Sequence, residues 1–219
     1  MEWRDVAFAH WRIDPARIEP ALPPGLLLDT FDGAAWISVV PFRIMGVHPM
    51  GTPVMPGFAD VRELNLRTYV RVGERRAVYF FSLDAASWLA VRAARVTTGL
   101  PYFDAAIDMS ESDGVFTYES RRTHRGEPHV RFRATYRPLG GEILVPPNSL
   151  VAFLHERYHF FVERRGRIVR GDITHAPWQL QSVVFAIETN TLAEPLGITL
   201  APAPDFAAFS RGMAVRAIR

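Results

Sequence analysis

Polar and apolar residues alternate through "VRELNLRTYVRV", residues 61–72, and a glycine at 73 then turns the chain into a second strand-like run, "RAVYFFSLD", residues 76–84. Period-two patterning bounded by turn residues is the signature of strands rather than helices. The same grammar recurs along the chain. "VFTYESRRT" (115–123) and "HVRFRATYR" (129–137) read as partner strands around turns at Asp113-Gly114 and Arg125-Gly126, and "RIVRGDITH" (167–175), "SVVFAIE" (182–188) and "MAVRAI" (213–218) follow. "LLLDTFDGAAWISVVPF" (26–42) reads as a hairpin about Asp32-Gly33, followed by a proline-glycine loop at 51–57. Helices are few. Asp14-Pro15 starts a short one that Pro23-Pro24-Gly25 stops, and an alanine-rich amphipathic stretch at 85–97 is closed by Gly99. Many short strands and few helices predict an α+β protein built on a mostly antiparallel sheet or barrel. No repeat or linker divides the 219 residues, so one domain, 1–219, is expected.

Composition narrows the chemistry. All 25 Lys+Arg residues are arginine, which removes Schiff-base catalysis because a guanidinium does not give up its proton. With no cysteine there is no disulfide, thiolate ligand or cysteine nucleophile. A net charge of only +2 argues against a nucleic-acid surface. The N-terminus has no apolar core of a secretory signal, and the longest greasy stretch, interrupted by Asp84, is shorter than the ~20 residues a bilayer crossing needs. A cytoplasmic protein without nucleic-acid or membrane partners is expected, and self-association into a homo-oligomer is compatible with the sequence. No phosphate loop, dinucleotide fingerprint or nucleophile elbow is present, and no cofactor is expected.

"FLHERYHFF" (153–161) spells His155-Glu156-x-x-His159, the spacing of a zinc hydrolase. That chemistry needs both histidines on one face of a continuous helix. The aromatic run after Arg157 and the turn at Gly166 favour instead a helix-to-strand junction, and the extended spacing offers Val162 and Arg165 where glycine and a third histidine belong. No metal is expected. On residues 63–69, Glu63, Asn65, Arg67 and Tyr69 share the face opposite Leu64 and Leu66. Either that face meets solvent, or in a barrel it lines a pocket with Glu63 and Arg67 as a charge pair. "THAPWQLQ" (174–181) adds His175 and Trp178 as wall residues.

The segments "HWRIDPARIEPALPPGLLLDTFDGAAWISVVPFR", "ELNLRTYV", "YFFSLDA", "GLPYF", "FLHERY", "HAPWQLQ" and "FSRGMAVRAI" together resemble the YqjF-like family of uncharacterised bacterial proteins over almost the whole chain. In that family pattern Glu156-Arg157-Tyr158 is central and the flanking histidines are not part of it. The family is in turn similar to acetoacetate decarboxylase, which implies a β-barrel with an internal site and peripheral helices. The decarboxylase works through a Schiff-base lysine, and in the comparable region this chain has Tyr102 and Phe103 after Gly99-Leu100-Pro101. The resemblance therefore implies the fold and a cavity, not imine-based decarboxylation. The expected occupant is a small anionic organic molecule. Glu63, Tyr102 and His175 are the candidate catalytic groups. Asn65, Arg67, Arg157, Glu156 and Trp178 are the candidate binding groups, with the two guanidiniums suited to a carboxylate. Two functions fit: a lysine-free lyase, hydratase or isomerase acting on a carbonyl or carboxylate compound, or a metabolite-binding protein without turnover. The zinc hydrolase stands third.

Overall fold

The computed structural model describes residues 1–47, 53–55 and 57–218. In chain order the strands are β1 (Glu2–Ile13), β2 (Leu27–Leu28), β3 (Ala35–Met45), β4 (Asp60–Val72), β5 (Arg75–Ala85) and β6 (Tyr102–Ser112). They continue with β7 (Val115–Arg122), β8 (Arg131–Ile143), β9 (His159–Arg164), β10 (Arg167–His175), β11 (Leu180–Asn190) and β12 (Phe206–Ile218). The α-helices are α1 (Pro15–Ile18), α2 (Trp88–Thr98) and α3 (Leu150–His155). This is the expected α+β class, mostly antiparallel, with parallel pairing at β5–β6 and β5–β9.

The sheet runs β10-β9-β5-β6-β7-β8-β11-β12-β1-β3-β4-β2, with further pairings of β4 to β5 and β10 to β12. Those two pairings close it twice. One ring follows β4-β5-β6-β7-β8-β11-β12-β1-β3, and the other follows β4-β5-β9-β10-β12-β1-β3. The strands β1, β3, β4, β5 and β12 belong to both rings, so both faces of β1, β3 and β4 look into a protein interior along their central stretches. The odd-numbered Ala7, Ala9 and Trp11 of β1 and Ile37 and Val39 of β3 pack with Leu64 and Leu66 of β4 inside the first ring, beside Phe116, Phe132 and Tyr136. The even-numbered Val6, Phe8, Val40 and Phe42 face the second ring with Val61 and Trp178. Strands buried on both faces carry continuous apolar runs, which is why β1 shows no alternation and escapes a period-two reading.

Helix α2 begins three residues later than the sequence suggests, because Ser87 caps it by accepting a hydrogen bond from the Ala90 N–H. Gly99, at φ 76°, terminates it in the left-handed conformation. The hairpin expected over 26–42 does not form. Asp32-Gly33 turns only far enough to pair Phe31 with Ala34, and β2 joins β4 through Leu27↔Arg71 and Leu28↔Val70. The reason is edge occupancy. Already paired with β1, β3 meets β4 no further than Thr68 and leaves the next stretch of that edge to β2. The loop expected at 51–57 lies partly outside the described residues, at 51, 52 and 56.

Gly212 on β12 has φ +124°, and a Cβ there would come 2.0 Å from the Trp3 carbonyl oxygen and 2.9 Å from the Arg4 Cα. Backbone cannot yield as a side-chain tip does. Gly212→Ala should therefore lower unfolding stability by ~2–4 kcal/mol, read as a reduced urea midpoint with an unchanged slope; an unaltered midpoint would mean β1 and β12 are not held this closely.

Candidate ligand cavity

The second ring is hollow. A cavity of about 310 Å³ lies within it, and β4 supplies its polar wall with Glu63, Asn65 and Arg67. All three come from the alternating face that faced two readings in the sequence, and it meets an interior rather than solvent. Glu63 is 3% exposed and Asn65 6%. On β5 the register with β4 shifts by one between Leu66↔Ser82 and Arg67↔Phe80. That bulge turns Phe81 into the packed ring while Phe80 and Leu83 both face the cavity. Small residues of α2, among them Ala90, Ala94 and Thr98, cover one side.

Burial raises the Glu63 carboxyl from its usual range to about 8, against the opposing effect of hydrogen bonds from Tyr102 and Asn65. At neutral pH Glu63 is therefore mostly protonated. The Tyr102 hydroxyl lies 3.4 Å from Glu63 Oε1, and burial pushes that phenol well above its ordinary value. The pair meets because β5 and β6 run parallel with Leu83 beside Tyr102, while Ala85 pairs with Glu63. The Tyr118 hydroxyl donates to the Glu63 carbonyl at 2.8 Å and fixes the strand at this point.

Arg67 does not pair with Glu63. Its Nη2 donates to the Leu154 carbonyl at 3.4 Å, its Nε is buried without a hydrogen-bond partner, and among the described residues no carboxylate forms a salt bridge with it. The guanidinium stands 5.6 Å from the Phe8 ring centroid. Arg157 also reaches the wall but is committed elsewhere: Nη1 pairs with buried Asp29 at 2.7 Å and Nε donates to the Phe153 carbonyl at 2.7 Å. The two arginines that look equivalent in sequence thus differ in charge balance.

His175 and Trp178 lie in the wall, with the histidine stacked on Tyr158 at 4.7 Å between centroids and its Nδ1 donating to the Ala176 carbonyl. Glu156 is not brought to the cavity. Its carboxylate accepts from the Tyr158 hydroxyl and from the Trp178 backbone N–H at 3.3 Å, so it orders the corner that presents Trp178. The two histidines of the zinc-like spacing do not share a helical face. His155 ends α3, whereas His159 opens β9 and pairs with Asp172 at 2.8 Å. Among the described residues no group of three or more His, Asp or Glu side chains is placed to hold a metal ion, and no helix is long and apolar enough to cross a membrane.

A second polar array, missed in the sequence, abuts the cavity through His155. Its Nδ1 donates to the Val151 carbonyl at 2.9 Å, and its Nε2 lies 3.3 Å from Nε2 of His10. His10 Nδ1 is 2.7 Å from Ser38 Oγ, which is 2.7 Å from the Tyr69 hydroxyl. Burial pushes His155 down to about 3 and His10 well below its ordinary value, so both rings are neutral. Proton bookkeeping then fixes their tautomers: His155 carries its hydrogen on Nδ1, and His10 on Nε2. The visible signal was a lone histidine inside the apolar run "VAFAHW"; its partner 145 residues away was not readable.

Against known proteins, a family model for an uncharacterized conserved protein, DUF2071, matches residues 1–214. The chain belongs to the DUF2071 family. A DUF2071 chain of this kind is similar to the uncharacterized protein YqjF of Bacillus subtilis, 39% identical over 198 residues covering 90% of this chain and 81% of the relative. Solved structures share the fold at low identity. An acetoacetate decarboxylase superposes with TM-score 0.66 at 10% identity, over 99% of this chain and 88% of the other. The enduracididine biosynthesis enzyme MppR, complexed with the condensation product of pyruvate and imidazole 4-carboxaldehyde, superposes with TM-score 0.62 at 18% identity, over 99% and 87%. An acetoacetate decarboxylase-like enzyme from Sphingomonas wittichii RW1 gives 0.60 at 16%, over 97% and 89%.

The raised Glu63 value has a thermodynamic consequence. Between its usual value of 4.5 and about 8 the folded protein holds a proton that the unfolded chain releases. Its contribution is therefore retained below pH 4.5 and lost as pH rises through 8, at up to ~1.4 kcal/mol per pH unit. Glu63→Gln should gain stability relative to the parent between pH 5 and pH 8.5, measured as the difference in melting temperature at each pH. A difference independent of pH would show that Glu63 ionises normally.

Proposed function

We propose that this protein binds a small organic anion in the second ring and acts on it by proton transfer, without a covalent link to the chain. The observation that carries this reading is Arg67, a cavity cation with no carboxylate partner among the described residues, set on the same strand face as a carboxyl group that keeps its proton at neutral pH. A carboxylate would satisfy the guanidinium fork and its unpartnered Nε. Glu63 then has the protonation state of a general acid near pH 7, able to give its proton to a carbonyl oxygen. His175, its Nδ1–H held by the Ala176 carbonyl, offers Nε2 to take the proton from the adjacent carbon, and reversal of both transfers restores the groups. Tyr102 steadies that carboxyl and Asn65 donates to it. His175 and Trp178 shape the wall, and Arg157 with Asp29 holds the wall together. The reaction class that suits these groups is isomerisation, hydration or lyase chemistry at a carbon beside a carbonyl. Support also comes from the neighbours, since MppR holds a pyruvate-derived product in a related fold.

A binder without turnover is the second reading. It draws support from the mainly hydrocarbon character of the remaining wall, including Val6, Phe8, Val40, Phe42 and Phe80, which can grip a ligand but not transform it.

The two readings separate in D₂O. Proton transfer predicts that the parent protein exchanges deuterium into the carbon beside the carbonyl of a bound keto acid, followed by NMR. Glu63→Gln should abolish that exchange while keeping affinity within about threefold, and Arg67→Gln should weaken binding by ~10–100-fold. No exchange in the parent, with affinity lost in Glu63→Gln, would favour simple binding. Undiminished binding by Arg67→Gln would remove the anion site.

A further inference from the structure

We propose that the occupant is a medium-chain monocarboxylic acid bearing a hydroxyl close to its carboxylate. This rests on the anion-binding reading above and adds three observations to it.

The first is charge. Of the ionisable groups in the wall, Arg157 is balanced by Asp29, Glu63 carries its proton, and His155 is neutral. Arg67 is left as the uncompensated side-chain ion among these groups, and the Met1 ammonium at the far end donates to the Val215 carbonyl at 3.5 Å. One carboxylate neutralises Arg67. A second carboxylate would meet the buried indole N–H of Trp3 but no second unpaired guanidinium, and a buried charge without a full counter-charge is disfavoured.

The second is shape. The wall on β4 runs from Val61 to Arg67, six residue steps and therefore ~20 Å between their Cα positions. Its character changes along that length. Beside Arg67 are His155 and Arg157, whereas around Val61 the lining is mostly hydrocarbon, with Met1, Trp3, Ile44, Val47 and Phe58, and His175 next to Trp3. The volume of about 310 Å³ equals the share of ~10 water molecules, enough for an acid of about eight carbons. An acid of three or four carbons held at Arg67 would leave the apolar end to water. Hydrocarbon there exchanges that contact for dry surface.

The third is an orphaned acceptor. Asn65 lies two positions from Arg67 on the same face, donates to Glu63, and has its own Oδ1 buried with no hydrogen-bond partner. A buried carbonyl without a donor is costly. A ligand hydroxyl a few atoms from the carboxylate can supply that donor, and protonated Glu63 can in turn donate to the same oxygen. Head and hydroxyl would thus meet Arg67 and Asn65 in order, with the hydrocarbon directed toward the Val61 end.

The test is calorimetric titration of the full chain at pH 7 with 3-hydroxybutyrate, 3-hydroxyhexanoate, 3-hydroxyoctanoate, octanoate and octanedioate. Affinity should rise roughly tenfold for each two carbons among the hydroxy acids, the value expected for buried methylenes. The hydroxyl should favour 3-hydroxyoctanoate over octanoate by about fivefold in the parent and give no advantage in Asn65→Leu, as for a single hydrogen bond. Octanedioate should bind at least about tenfold more weakly than octanoate, because its second charge is unpaired. Val61→Phe, which fills the apolar end, should abolish the gain with chain length, and its melting curve reports whether it folds. Affinity that is flat with length in the parent, or rises equally in Val61→Phe, overturns the ligand class. If short acids then still bind and lose affinity in Arg67→Gln, the anion site stands without it. If no acid binds, or Arg67→Gln binds as the parent does, the anion-binding reading falls as well.

Discussion

Five strands shared between two rings govern this molecule. Because β1, β3, β4, β5 and β12 close two rings at once, each residue along the central stretches of β1, β3 and β4 must be accepted by one interior or the other, while β12 leaves Arg211, Ala214 and Arg216 to solvent. The first ring answers with close-packed hydrocarbon, where Phe116 stacks on Tyr136 at 5.1 Å between centroids. The second leaves space, and β4 is the shared strand on which the division shows most clearly, with Leu64 and Leu66 on the packed side and Glu63, Asn65 and Arg67 on the hollow one. Polar groups in such a position are costly unless they are paired, protonated or matched to a ligand.

Two of those outcomes, pairing and a changed protonation state, occur at this wall and in the array behind it. Arg157 is paired with Asp29. Glu63 keeps its proton, His10 and His155 lose theirs, and burial is the leading cause in all three cases. Asp84, in the packed ring, shows an intermediate response. Desolvation raises it to about 6, against the pull of Arg122, which lies 2.8 Å away. Arg67 follows none of these routes: a guanidinium does not deprotonate, and no carboxylate reaches it among the described residues. The residue left over by this accounting is the one a ligand would complete.

The alternation at 61–72 made β4 legible, and of the four residues it puts on one face Glu63, Asn65 and Arg67 line the cavity while Tyr69 packs with Trp36 and Phe153. Whether that face was wet was not a local property. It depended on β9 and β10 closing the second ring, contacts that join residues 78 and 79 to 160 and 161 and residues 172–175 to 215–218. The junction at His155 was legible because aromatic and β-branched residues resume after Arg157, and the helix stops there. In contrast, β1 was unreadable by period, since "VAFAHW" is apolar toward both rings. The hairpin expected at 26–42 was a sound turn placed in the wrong pairing, because edge occupancy is decided by β1 and β4 rather than by the turn. Arg67 and Arg157 could not be ranked in sequence, since Asp29 lies 128 positions from Arg157.

All of this turns on the second interior being dry enough to keep a carboxyl group neutral on the strand face that also carries Arg67. Carbon-13 NMR of the side-chain carboxyls, with the Glu63 signal assigned by its loss in Glu63→Gln, follows that group through a pH titration of the folded protein. The account predicts a single ionisation with its midpoint near 8. A midpoint at the ordinary glutamate value would contradict it, because the wall of β4 would then be open to water.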